Sequence, residues 1–426
     1  KSNKIYVTVE CLYGYKQALA EPLRLNVDQR GSFAFRADYV AEMARAAVCE
    51  QYGEPAYVSG IRVETTIRRP DQEAANAGLR QGVLDYDRRH GYRGPEAYVS
   101  LPDATEALDA ALERAFAEAP DIDGLPAAVV LDATPAEVRV VAADGEAVSI
   151  TGDGLRFASR NLGDKATAAT RIRRGAVVRL LRDDKGRFGI VQLPQAESAF
   201  VSLEPESGAI VSLVGGFDFE RNKFNHVTQA LRQPGSSFKP FIYSAALEKG
   251  FTPATIVNDA PFFVPADRAG GEDWEPKNYD GKFDGPMRVR TALAKSKNLV
   301  TVRVLQAIGP QYAQDYIARF GFDPKLHPAY LTMGLGAGSV TPLQMVGAYA
   351  VLANGGYRVT PYLIARVVDA RGNVLSEANP PLAGGQAERV IDPRNAWIMT
   401  SLLKDVIRVG TGTRALSLGR TDLAGK

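Results

Sequence analysis

Hydrophobic spacing along the chain changes character twice, near residue 124 and near residue 204. Before the first change, apolar residues recur mainly at helical intervals. "ADYVAEMARAAVCEQYG" predicts a helix stopped by Gly53, and "DQEAANAGLRQGVLDYDRR" after Pro70 predicts a second amphipathic helix. A third begins at Asp103, a natural N-cap with Glu106 at N3, and continues through "ATEALDAALERAFAEA". Between the first two, the β-branched "YVSGIRVETTI" predicts a strand, and "KSNKIYVTVECLYGY" opens the chain as another.

From Gly124 the period shortens to that of strands. "PAAVVLDA", "AEVRVVAADGEAVSI", "GAVVRLLR", "GRFGIVQL" and "SAFVSL" are short β-branched runs between turn signals, and Asp144-Gly145 marks a hairpin. This spacing predicts a small closed barrel of OB-like type. Such folds often bind nucleic acids or sugars, but only Phe157, Phe188 and Phe200 stand out as stacking candidates. After Glu204, "SGAIVSLVGGFDF" predicts a hairpin, and mixed helices and loops follow to the end.

Composition narrows the classes. The 426 residues allow about three domains, and 45% hydrophobic with 23% charged residues is ordinary for a globular protein. Fifty-one basic and 49 acidic side chains leave a net charge of +2 with no basic block, which argues against a nucleic-acid partner. No run of 18 apolar residues offers a membrane span. The chain starts without methionine or a signal pattern, which fits a processed form, an expressed fragment or part of something longer. Cys11 and Cys49 are too few for a disulfide framework, and His90, His226 and His327 form no metal-binding pattern. A zinc hydrolase is therefore not expected.

The chemistry centres on "RQPGSSFKPF". Gln233-Pro234-Gly235 breaks regular structure, and Pro240 is tolerated only in the first turn of the helix that follows. Ser236 therefore stands at the helix N-terminus, and Lys239, three residues on, shares its face among apolar neighbours. Burial and the positive helix end both favour a neutral amine, which can take a proton from a serine hydroxyl. An isolated Ser-x-x-Lys is more simply a capped helix with a nearby lysine. Sixty residues on, Ser296-Lys297-Asn298 precedes another amphipathic helix and offers a second hydroxyl and a side-chain amide. The chain ends on "GRTDLAGK", with Lys426 where a Lys-Thr-Gly strand would start.

This order of motifs resembles that of penicillin-binding proteins and serine β-lactamases. "RQPGSSFKPFIYSAALEKGFTPATIVNDAP", "WEPKNYDGKFDGPMRVRTALAKSKNLVTVRVLQ" and "TPLQMVGAYAVLANGGYRVTPYLI" resemble the transpeptidase domain of class A penicillin-binding proteins. "GIRVETTI" with "QEAANAGLRQGVLDYDRRHGYRGP" is similar to the linker before that domain, and the β-rich insert resembles the OB-like domain of Gram-negative members.

The resemblance implies a multidomain α+β protein: a transpeptidase domain with helices around an antiparallel sheet, plus a small all-β OB-like barrel. The expected division is a glycosyltransferase-domain remnant (1–20), a linker and the start of the transpeptidase domain (21–124), the OB-like insert (125–204), and the transpeptidase domain (205–426). Ser236 would be the acyl-ester nucleophile, Lys239 its proton acceptor, Ser296 and Asn298 the second motif, and Lys426 the first residue of the third. Lys297 is assigned no chemistry.

The implied reaction is peptidoglycan DD-transpeptidation, which needs no metal or organic cofactor, with β-lactams trapping Ser236 and a parent protein that also polymerises glycan from lipid II. That parent would be held in the cell inner membrane by an N-terminal anchor, with its catalytic domains in the periplasm. The alternatives are a DD-carboxypeptidase or serine β-lactamase, or a non-catalytic scaffold whose OB-like domain binds a regulatory protein.

Three further features are weighed beside the motifs. Trp274, Asn278 and Tyr279 lie in a Pro/Gly/Asp-rich loop before the second motif, and Trp274 and Tyr279 are candidates to line a groove for a peptide stem, with Asn298 binding its carbonyl. "MGLGAGSV" lacks the GK[ST] of a phosphate loop and reads as a structural glycine loop. The Thr341-Pro342-Leu343-Gln344 that follows is a capping box. His226 reads as a surface or core histidine.

Overall fold

Residues 4–8, 35–122, 124–269 and 271–426 are described by the computed structural model. Of the remnant expected at 1–20, only the strand Lys4–Thr8 is described, and Cys11 lies outside the described residues. The chain divides into two units. One comprises Lys1–Ala75, Ala199–Gly215 and Asn225–Lys426, and the other Asn76–Ser198 and Gly216–Phe224.

The second unit is built on an antiparallel sheet of six strands: β1 (Ala97–Tyr98), β2 (Ala127–Ala133), β3 (Glu137–Ala142), β4 (Ala147–Thr151), β5 (Ala176–Arg182) and β6 (Phe188–Val191). They run in the order β1-β5-β2-β3-β4, with β6 also paired to β5. β2 is buried over Ala127–Val130 because both its faces are covered. Val130 joins Val138, Val140, Ile150 and Leu180 on one side, while Ala127 and Val129 meet Ala115 and Phe116 of the helix Thr105–Glu118 on the other. That helix is capped by Ala104, without a side-chain bond, rather than by Asp103. Gly145, at φ +81°, closes the β3–β4 hairpin that Asp144-Gly145 signals.

Buried Arg179 pins this unit. It pairs both oxygens of Glu96 at 2.8 Å and donates to the Pro120 and Leu125 carbonyls. The expected closed barrel has one seam without a ladder among the described residues. Between β4 and β6 the chain turns through Gly152–Leu155, which packs on β6 in place of strand pairing.

In the first unit, Lys4–Thr8, Arg62–Arg68, Ile364–Val368 and Val374–Glu377 form a four-stranded antiparallel sheet in that order. The hairpin expected within "SGAIVSLVGGFDF" supplies one strand, Ile210–Val214. Its partner is Phe200–Leu203, from the run assigned by sequence to the barrel. The helical part holds the larger core. Helix α1 (Lys239–Glu248) is buried at eight of its ten positions, as expected of a helix apolar on all sides. Around it pack α2 (Val289–Ala294), α3 (Asn298–Ile308), α4 (Pro310–Ile317), α5 (Pro342–Ala353) and α6 (Pro393–Val409), with Phe241, Tyr243, Leu305, Tyr316, Met399 and Leu402 at the centre. No helix among the described residues is long and apolar enough to cross a membrane.

Candidate active site

Gly235–Phe238 forms one 3₁₀ turn that runs directly into α1, with Pro240 in the first α-helical turn where its missing N–H costs nothing. The turn separates two adjacent serines. The Ser237 hydroxyl donates to the Pro234 carbonyl at 2.6 Å, whereas that of half-buried Ser236 has no hydrogen-bond partner among the described residues. Phe238 anchors the turn below, stacked on His327 with centroids 4.8 Å apart.

Lys239 is fully buried. Burial, with a smaller push from the Lys426 ammonium, lowers its amine to about 7. Its Nζ donates to the Ser296 carbonyl at 2.8 Å and to Asn298 Oδ1 at 2.7 Å, and Ser296 Oγ lies 3.3 Å away. Neither of the first two acceptors carries a proton. A neutral amine has two N–H groups and one lone pair, so these two bonds use both hydrogens and leave the lone pair for a hydroxyl.

The second motif is held by an unusual backbone. Ser296 and Lys297 close the C-terminus of α2 by donating their N–H groups to the Leu293 and Ala292 carbonyls at 3.0 and 2.9 Å. This is the Schellman pattern, and it puts Ser296 at the left-handed position normally taken by glycine. Ser296 is the one non-glycine residue with positive φ, +59°, among the described residues.

Two residues on, α3 begins without a cap of its own, since its N-cap is Lys297. Asn278 supplies the cap from the preceding loop. Its Oδ1 accepts from the N–H of Asn298 at 2.9 Å, while its Nδ2 donates to Asp259 and to the Lys282 carbonyl at 2.7 Å. The Asn298 amide donates to the Lys277 carbonyl at 2.8 Å, which fixes the direction of the Oδ1 that meets Lys239.

Lys297 points away from this centre into a carboxylate cluster. Its ammonium lies 3.3 Å from Asp259, 3.3 Å from Asp280 and 3.1 Å from Asp284, and only 4% of the side chain is exposed. Burial alone would lower its pKa, but the three carboxylates outweigh burial and hold it above the usual lysine range. Hydrogen bonds, from the Lys282 backbone to Asp280 and from Lys297 to Asp284, keep those two acids below the usual carboxylate range. Lys297, Asp259, Asp280 and Asp284 thus tie the 278–284 loop beneath the motif.

The glycine loop buttresses the serine turn. A Cβ on Gly336, at φ +75°, would meet the Gly235 carbonyl oxygen at 2.3 Å and its nitrogen at 2.6 Å, and one on Gly338 would meet His327 Nδ1 at 2.1 Å. Gly336→Ala is therefore expected to displace the turn and to cost about 1–3 kcal/mol of stability by overpacking. Urea unfolding checks this, and an unchanged midpoint would show that the turn has room to move. The capping box is complete: Thr341 Oγ1 accepts from the Gln344 N–H at 3.2 Å and Gln344 Oε1 from the Thr341 N–H at 2.9 Å.

The structure brings Lys239, Ser296, Asn298 and Lys426 together with the serine turn. Lys426 is half-buried, which lowers its amine, and its charge reaches Lys239. Trp274 is half-buried against the helical core, exchanging backbone hydrogen bonds with Val264, and Tyr279 is fully exposed. The His226 ring pairs with the Gly215 carbonyl at 2.7 Å. Sequence reasoning missed Asp259 and the positioning parts played by Asn278 and Lys297. The one local signal was a lysine at N-cap, a position that leaves the helix end uncapped.

A serine turn beside a buried amine lowered to about 7, a hydroxyl and a side-chain amide is a constellation suited to acyl transfer. The family profile "Penicillin binding protein transpeptidase domain" matches residues 198–426, and "Penicillin-binding protein OB-like domain" matches 92–196. The chain belongs to the penicillin-binding protein transpeptidase family. It is 46% identical over 392 residues to penicillin-binding protein 1A of Neisseria lactamica, covering 91% of this chain and 48% of that protein. Penicillin-binding protein 1A of Pseudomonas aeruginosa is 42% identical, covering 97% and 56%. The chain thus spans about half the length of the curated relatives it matches. The crystal structure of penicillin-binding protein 1A from Haemophilus influenzae superposes with a TM-score of 0.84 at 35% identity, covering 93% of this chain and 62% of that one.

Proposed function

We propose that this chain carries a peptidoglycan DD-transpeptidase site in which Ser236 is acylated. The observation that carries the reading is the Lys239 amine, buried, lowered to about 7, and with both hydrogens taken up by carbonyl-type acceptors. Ser236 Oγ attacks the carbonyl of the penultimate D-Ala while its proton passes to Lys239. The C–N bond to the terminal D-Ala breaks, and the Ser296 hydroxyl relays a proton to the departing amine. A second stem's amine then attacks the ester, forming the cross-link and returning the proton to Ser236. The Asn298 amide and the Lys426 ammonium orient the stem and its carboxylate. Exposed Tyr279 is proposed as a groove contact, and Trp274 as its support. β-Lactams would enter as mimics of the D-Ala-D-Ala end.

For the whole protein we propose a bifunctional synthase at the cell inner membrane, acting in the periplasm on stem peptides and lipid II. Within that protein the OB-like region is proposed to lie between the linker and the transpeptidase domain.

Intact-mass measurement after benzylpenicillin treatment of the full-length protein tests the reading. A penicilloyl adduct lasting minutes, mapped to the Ser236 peptide and lost in Ser236→Ala, is expected. Rapid turnover would favour a β-lactamase, and absence of any adduct a scaffold.

Ser296→Gly separates chemistry from fold. Glycine suits the left-handed backbone, so stability should change by less than about 1 kcal/mol. The acylation rate should fall by about 10²-fold through loss of the relay. An unchanged rate would remove Ser296 from proton transfer.

A further inference from the structure

The β-rich unit carries a cavity of about 1380 Å³ that the proposed reaction does not use. Three segments line it: the C-terminal end of the helix Arg69–His90 with the two residues after it, the stretch from Val148 to Asn161, and the β5–β6 hairpin. Its cations are all arginines: Arg88, Arg89, Arg156, Arg160, Arg182 and Arg187, against Asp153 and Asp183. The lining therefore holds four more cations than anions, while the whole chain has an excess of only two. Positive charge is concentrated in one concavity of an otherwise slightly acidic chain.

Part of this charge has a local explanation. Arg88 and Arg89 complement a helix C-terminus, and Arg88, Arg182 and Arg187 have exposed carboxylate partners in Asp85, Glu146 and Asp183. Arg156 and Arg160 have no carboxylate partner among the described residues, and both face the cavity. Guanidinium groups present rigid forks that fit carboxylates bidentately, which lysines would not. The same lining also carries aromatic rings and hydroxyls. Tyr92 meets Phe157 edge-on with centroids 5.5 Å apart, Phe188 lies under Arg182, and Ser149 and Thr151 add hydroxyls.

We propose that this cavity binds the carboxylate-bearing peptide stems of a glycan strand. Its volume suits a ligand of several residues rather than a flat protein surface. Its mixture of guanidinium forks, ring faces and hydroxyls matches a ligand that is part acidic peptide and part sugar. The ligand's identity rests on the proposed function; its anionic character rests on the cavity alone.

The experiment uses full-length protein pre-acylated with benzylpenicillin, so that the transpeptidase site is occupied. Fluorescence anisotropy follows soluble, uncross-linked glycan strands bearing stem peptides, the same strands with stems removed, and an oligoglutamate peptide. Stem-bearing strands should bind, more weakly as salt rises, and stem-free strands should bind at least tenfold more weakly. Arg156→Glu with Arg160→Glu should weaken strand binding at least tenfold and leave the penicillin acylation rate unchanged. The milder Arg156→Ala with Arg160→Ala, checked for an unchanged unfolding midpoint, should weaken it several-fold.

Equal binding by the charge-reversed protein, or by stem-free strands, overturns the proposal. Binding of oligoglutamate but not of strands overturns it in favour of an acidic protein segment. Failure of penicillin to label Ser236 would strike the proposed function instead, and is read in a separate measurement.

Discussion

Lys239→Met is expected to lower the rate of Ser236 acylation by benzylpenicillin by about 10³-fold, the middle of the range for loss of a positioned proton acceptor. Methionine is apolar and of similar length, so it fits a site with no exposed surface. The Ser296 carbonyl and Asn298 Oδ1 lose their donor, costing roughly 1–3 kcal/mol, which leaves the fold intact. Lys239→Arg should be equally inactive, because guanidinium stays protonated at any working pH. In the parent protein, acylation should rise with pH through a midpoint at about 7 as the amine loses its proton.

The same lowered pKa has a stability counterpart. Between pH 7 and about 10.5 the unfolded lysine binds a proton that the folded one does not, so this residue's contribution makes stability rise with pH across that window. Stopped-flow acylation from pH 5.5 to 9 checks the rate, and a Met variant keeping a tenth of the parent rate would exclude Lys239 as the acceptor.

Lys297→Met should be the most destabilising change near the site, by about 3–5 kcal/mol in urea unfolding. It removes the counter-charge of Asp259, which has no exposed surface at all, while Asp280 and Asp284 remain partly exposed to water. Adding Asp259→Asn should recover part of the loss, since the two changes remove one interaction and do not add. Acid should mimic the substitution. Asp280 and Asp284 titrate below the ordinary carboxylate range, so the stability they contribute is present above the unfolded carboxylate pKa and is lost as pH falls through their lowered values. A loss under 1 kcal/mol for Lys297→Met would mean that water already reaches the cluster.

Local chemistry was the legible part of this chain. Gly235 and Pro240 place the serine turn to within a residue, because one allows positive φ and the other is confined to a first turn. Thr341 and Gln344 specify their capping box from four residues, and Asp144-Gly145 its hairpin. Contacts across long sequence distances were not legible. Phe200–Leu203 reads like the strands before it, and only its ladder with Ile210–Val214 places it in the other unit. Likewise, nothing near Asn278 says that it caps a helix twenty residues away, or that Asp259 waits beneath it. The family resemblance located the motifs; the buried polar contacts that hold them had to be seen.

The left-handed backbone at Ser296 has an evolutionary consequence. At most positions a lethal change also weakens the fold, so cellular quality control removes the variant along with its defect. Here glycine relieves the backbone while deleting the hydroxyl, and asparagine also tolerates that conformation. With the proposed relay gone, a variant protein would fold and accumulate while acylating about 10²-fold more slowly. Thermostability screens would pass it, and only selection on the proposed acyl transfer would preserve the serine.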